Sequence, residues 1–141
     1  MKFVFDASVA ASWLLKRIHP SEIAVADQAI EAVQRHGAKV PAIWQTEVVN
    51  ALLTAGRKGM PTAFATTQFL ADLATLDIQL DSASLAAMQR STGNLARSHQ
   101  LTAYEATYLE LALRMGSSLA TFDRQVADTF RRLGGHVFGD P

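Results

Sequence analysis

Short apolar runs alternate with longer stretches of helical spacing along this chain. Lys2–Phe5 is a β-prone apolar run that stops at Asp6. From Ser8 to Lys16 the apolar positions Val9, Trp13 and Leu14 recur at helical spacing, and Pro20 closes the segment. A second helical stretch covers Ser21 to His36, with Ile23, Ala26, Ile30 and Val33 on one stripe and Gly37 where a helix C-cap belongs. Ala38–Val40 reads as a brief strand. The pattern predicts a helix from Ile43 to Arg57, stopped by Gly56 and Gly59, and another behind Pro61, taken as a first-turn proline. Leu76–Leu80 reads as a third strand, and Ser82 as the cap of a helix running towards Gln100. Thr102–Met115 is helical, Ser118–Phe122 strand-like and Asp123–Leu133 helical; Gly134-Gly135 then leads into a last short strand at His136–Phe138.

Strands this short and apolar, separated by helices, predict βαβ units on a parallel sheet covered on both faces, with right-handed crossovers. The chain has 141 residues, the size of one domain, and no repeat, low-complexity tract or linker divides it. At that length roughly 68% of the unfolded surface can be buried, so no staples are needed. The expectation is a single α/β domain over residues 1–141.

Composition narrows the chemistry. Apolar residues make up 49% and charged residues 18%, which excludes a disordered chain. With no cysteine, there is no disulfide framework, iron–sulfur cluster, thiolate zinc site or cysteine nucleophile. Thirteen basic residues balance thirteen acidic ones, so any polyanion must be drawn by a local patch or a bound cation. No apolar run reaches the roughly 18 residues of a membrane span, and the N-terminus lacks a signal-peptide core. A cytoplasmic protein is expected.

Four acidic residues stand at informative places. Two strand-like runs end in aspartate just before a helix, Phe3-Val4-Phe5-Asp6 and Leu119-Ala120-Thr121-Phe122-Asp123. In an open parallel sheet, such strand ends line the crevice where ligands bind. Each aspartate also fits an N-cap, and the two roles are compatible because a capping carboxylate has a second oxygen. Ser8 and Thr121 beside them read as turn or cap hydroxyls, or as holders of water on a metal. Glu47 lies at the edge of the stripe formed by Trp44, Val48, Ala51, Leu52 and Ala55, with Asn50 and Thr54 on the same border. Glu105 shares a face with Tyr108, Leu109 and Ala112, while Glu110 and Arg114 fall on the opposite, wet side. Thr102-Ala103-Tyr104-Glu105 also matches a capping box, so cap and ligand both stand for Glu105.

The four histidines show no metal-ligand spacing, and no GxGxxG, P-loop or GxSxG occurs. Lys16-Arg17, Arg57-Lys58 and Arg131-Arg132 read as solvated faces and are the only local sources of phosphate attraction. Residues 43–73 carry many apolar side chains, among them Leu52, Leu53, Met60, Phe64, Phe69 and Leu70, of which some must form the core and the rest are a surplus. The surplus suits a groove for a partner helix or a dimer seam.

Four segments, in order and together spanning essentially the whole chain, carry a resemblance. They are Phe5-Asp6-Ala7-Ser8-Val9, Trp44-Gln45-Thr46-Glu47-Val48-Val49-Asn50-Ala51-Leu52, Leu101-Thr102-Ala103-Tyr104-Glu105-Ala106-Thr107-Tyr108-Leu109-Glu110-Leu111-Ala112 and Leu119-Ala120-Thr121-Phe122-Asp123. In them the chain resembles the PIN-domain family, and within it the VapC-type toxins of toxin–antitoxin pairs. The resemblance implies a three-layer α/β/α sandwich with a short parallel sheet, whose acids Asp6, Glu47, Glu105 and Asp123 gather at one end. Ser8, Asn50 and Thr121 would be supporting polar groups. It further implies a Mg²⁺- or Mn²⁺-dependent endoribonuclease with Asp6, Glu105 and Asp123 as metal ligands. The partners implied are an RNA substrate, a second copy of the chain and a VapB-like antitoxin. Glu105 departs from the family's Tyr-Asp-Ala pattern, and one extra methylene moves the carboxylate by more than about 1 Å at a site where metal geometry is demanding. The departure leaves a catalytically impaired module that binds RNA or protein as the alternative. A receiver or haloacid-dehalogenase-like phosphoryl-transfer domain fits less well, since Ser8 stands where a second aspartate would follow Asp6.

Overall fold

The computed structural model describes residues 2–141. The chain runs β1 (Val4–Phe5), α1 (Ala7–Ala11), α2 (Pro20–His36), β2 (Ala38–Val40), α3 (Ile43–Gly56), α4 (Ala63–Leu73), β3 (Ile78–Leu80), α5 (Leu85–His99), α6 (Ala103–Met115), β4 (Leu119–Ala120) and α7 (Arg124–Arg132). This is the α/β class that the alternation predicts.

All strand pairs are parallel. β1 pairs with β4 through Val4–Leu119 and Phe5–Ala120, and β2 pairs with β3 through Ala38–Ile78 to Val40–Leu80. A bridge between Phe3 and Ala38, with the Lys39 N–H donating to the Phe3 carbonyl at 2.9 Å, joins the two pairs. Beyond β4, Leu119 bridges Val137: its N–H donates to the His136 carbonyl at 3.1 Å and its carbonyl accepts the Phe138 N–H at 3.0 Å, so the expected His136–Phe138 strand joins the ladder as a single bridge. The order is therefore β3-β2-β1-β4-Val137. From β1 the chain moves to one side for β2 and β3, then returns to the other for β4. The gap between the carboxyl ends of β1 and β4 is the topological switch point, where open parallel sheets bind ligands.

Val4, Phe5, Leu119 and Ala120 are fully buried, as strands covered on both faces must be. Edge strand β3 is only half covered, so the expected two-sided cover holds at the centre of the sheet and not at its rim. Phe5 anchors the packing, with its ring centroid 5.4 Å from both Trp13 and Trp44. Val48 and Leu52 of α3, Leu109 of α6 and Phe130 of α7 complete the core around it.

Several boundaries differ from the sequence reading. The helix expected to Lys16 ends at Ala11 and continues as turns to Leu15. Pro61 lies outside the next helix, because the Thr62 hydroxyl takes the cap by accepting the Ala65 N–H at 3.1 Å. The helix expected from Ser82 starts at Leu85, with the Ser84 carbonyl accepting its first bond, from Met88. Glu110, expected on a wet face, is only 8% exposed. Arg114 bonds its Oε1 at 2.8 Å and forks onto Asp81 of the loop after β3, which brings that face of α6 under cover.

Candidate active site

Asp6 leaves β1 in extended backbone and caps α1. Its Oδ1 accepts the Val9 N–H at 3.1 Å and the Ser8 hydroxyl at 2.6 Å, while Oδ2 accepts the Thr121 hydroxyl. Asp123 does the same for α7, with Oδ1 accepting the Val126 N–H at 2.9 Å. Thr121 ties the two together, because the hydroxyl that donates to Asp6 also accepts the Asp123 backbone N–H at 3.0 Å. Two caps at neighbouring strand ends thus become one linked unit. Asp6 is only 9% exposed. Burial pushes its carboxyl above the usual carboxylate range and the charge of Asp123 adds to this; the Ser8, Thr121 and Val9 donors pull the other way.

Glu47 and Glu105 approach from two helices. Glu47 of α3 is half-buried and accepts the phenolic hydroxyl of Tyr108 from α6. Burial and the neighbouring Glu47 push the Tyr108 hydroxyl far above its ordinary pKa, so it stays a donor. Glu105 closes the capping box read from the sequence. Its Oε1 accepts the Thr102 N–H at 2.8 Å, and the Thr102 hydroxyl accepts the Glu105 N–H at 3.1 Å.

All four acids line one cleft of about 350 Å³, together with Ser8, Arg17, Tyr104, Tyr108 and Phe122. Thr121 works from behind, through its two bonds. Asn50 is exposed on α3 and is not among the residues lining the cleft. The sequence reading left Arg17 on a solvated face. Its place in the cleft depends on how the α1–α2 connection folds back, which no local pattern reports.

The chemistry of the lining is one-sided: four carboxylates face a single guanidinium, with no sulfur or imidazole among them. Such a hard, anionic, all-oxygen set fits a divalent cation of the Mg²⁺ or Mn²⁺ kind. Each carboxylate is nevertheless held by its own donor. Among the described residues, no three acidic or imidazole side chains converge as a ready-made ion cage. The four acids share a cleft without closing on one point.

Comparison with known proteins identifies the family and the fold. The PIN domain profile matches residues 3–134. Ribonuclease VapC3 of Pyrobaculum aerophilum is 32% identical over 135 residues, spanning 94% of this chain and 98% of that one. The crystal structure of PAE2754 from the same organism superposes with a TM-score of 0.72 at 19% identity, covering 98% of this chain and 91% of the other. A toxin–antitoxin complex from Klebsiella pneumoniae contains a chain that superposes at 0.68 with 17% identity, covering 99% and 98%. At these identities the structural likeness speaks to fold alone.

Proposed function

The chain belongs to the PIN domain family, and from that premise we propose that it is a single-domain, divalent-metal-dependent endoribonuclease of the VapC kind. One observation carries the reading: Asp6 and Asp123, at the carboxyl ends of adjacent parallel strands and linked through Thr121, line the same cleft as Glu47 and Glu105.

Asp6 and Asp123 would hold the cation, with the Glu105 oxygen left free by the capping box as a third donor and Glu47 at the outer side. The ion would supply a Lewis acid that activates water and offsets charge on the phosphodiester. The chain's own contribution is placement. Val9, Ser8 and Thr121 fix Asp6, Val126 fixes Asp123, and Tyr108 keeps Glu47 turned towards the cleft by donating to one of its oxygens. Glu47 in that position can orient water and accept its proton.

A protein partner belongs to the proposal. Leu53, Met60 and Phe64 on and between α3 and α4 are 49%, 73% and 80% exposed, apolar cover suited to a VapB-like antitoxin helix or to a second copy of the chain. We place the protein in the cytoplasm; among the described residues no helix is long and apolar enough to cross a membrane.

The tether of Glu105 to Thr102 favours one second reading, an RNA- or protein-binding module with impaired catalysis. Incubation of the purified chain with an RNA panel and Mg²⁺ or Mn²⁺ separates the two. Cutting that EDTA abolishes and Asp6→Asn lowers at least roughly hundredfold supports the enzyme. Binding without cutting supports the module, and equal cutting by both chains points to a contaminant.

A further inference from the structure

A cleft walled by four carboxylates repels a phosphodiester, and a chain of zero net charge offers no general field to overcome that. Among the described residues lining the cleft, Arg17 is the one cation. Its guanidinium lies 4.3 Å from the Phe122 ring centroid, a cation–π contact that pre-orients a long side chain. Among the described residues its one ion pair is long, 3.7 Å to the half-covered Glu22, a contact of the kind that solvent screens. Phe122 and Asp123 also line a second cleft of about 600 Å³, so a strand crossing the acids has room to continue past Phe122. On the same rim stands Tyr104, in the first turn of α6 and 59% exposed, whereas Tyr108 one turn later is buried. An aromatic ring left in solvent on the same cleft as a phosphate-seeking cation is the combination that single-stranded nucleic acid uses.

Resting on the nuclease reading and deepening it, we propose that Tyr104 and Arg17 position the RNA strand. Tyr104 stacks on the nucleobase flanking the phosphate presented to Asp6 and Asp123, and Arg17 holds an adjoining phosphate. The preferred substrate is then a strand with an unpaired nucleotide next to the cut, since a duplex hides the base face that Tyr104 needs.

The test uses single-stranded RNA carrying 2-aminopurine, bound in Mg²⁺ to the cleavage-disabled Asp6→Asn chain and followed by anisotropy and by quenching. Added Tyr104→Ala is expected to abolish the quenching and weaken binding about tenfold, while Tyr104→Phe restores both. Added Arg17→Gln is expected to weaken binding and lower the slope of log Kd against log salt by about 0.7, with Arg17→Lys keeping the slope. Unchanged quenching, affinity and slope in the alanine and glutamine variants overturn the proposal, as does a parent chain that binds no RNA. A wild-type chain that binds through these residues without cutting retires the nuclease reading and leaves this one standing. A wild-type chain that cuts while Tyr104→Ala and Arg17→Gln bind normally does the reverse.

Discussion

The hydroxyl of the buried Tyr108 on α6 donates to Glu47 Oε1 on α3, a bond between residues 61 positions apart that joins two helices and holds one acid of the cleft. Burial and the Glu47 charge push the phenol far above its ordinary pKa, so it stays protonated at neutral pH. Glu47 therefore has a protein donor for Oε1 at neutral pH.

Replacing Tyr108 with Phe removes that donor and keeps the ring. Folding stability is expected to fall by about 2 kcal/mol, the cost of a charge-assisted bond, and RNA cleavage by roughly tenfold because Glu47 is no longer held. Thermal melts and single-turnover cleavage measure both. Wild-type cleavage by a destabilised variant would make the bond purely structural.

Ionisation of Asp6 is expected to work against folding at neutral pH. Its folded-state pKa lies above the unfolded value, so its ionisation costs stability as pH rises through that interval, and none of the cost remains when both states are protonated. Asn in its place keeps an acceptor for Val9 and Ser8 and offers Thr121 a donor. Without metal, Asp6→Asn is expected to melt above the wild type at pH 7, with the gap closing towards pH 3. A variant melting below wild type at pH 7 would contradict this.

At Glu105 the cap and the charge can be separated, because Gln also completes a capping box. Glu105→Ala is expected to lose about 1 kcal/mol of stability with the cap. Glu105→Gln is expected to melt like the wild type yet cut at least tenfold more slowly if the second oxygen binds metal, as proposed. Full activity in Glu105→Gln would leave the residue a cap alone.

The Arg114 fork tests the corrected face of α6. Arg114→Ala leaves the buried Glu110 without its guanidinium and is expected to cost about 2 kcal/mol, discounted because the arginine is itself partly exposed. Arg114 holds the Asp81 carboxyl below its usual range, so the stability that pair adds is present above the ordinary aspartate pKa and lost as pH falls through the lower folded one. Urea melts at pH 7 and pH 3 are expected to show a smaller difference between the two chains at the acidic end.

What the sequence disclosed was local. The caps at Asp6 and Asp123 and the Thr102–Glu105 box follow from spacing, and the structure forms all three. The strand ends and the parallel pairing follow from apolar runs punctuated by helices. Long-range pairings were not legible. The burial of Glu110 depends on Asp81 meeting Arg114 from 33 positions away, and the Glu47–Tyr108 bond on the packing of α3 against α6. Periodicity located Glu47 at a stripe edge, but it carries no record of which helix lies across that edge. Asn50, on the same border, points to the same limit, for it lies exposed and apart from the residues that line the cleft.

The central claim is that Asp6 and Asp123 share one divalent ion, and anomalous diffraction from crystals soaked in Mn²⁺ reads it directly. The expected result is a peak within about 2.5 Å of a carboxylate oxygen from each aspartate, with Glu105 Oε2 in the same shell. A cleft without a peak at saturating Mn²⁺, or a peak on one aspartate alone, would contradict it.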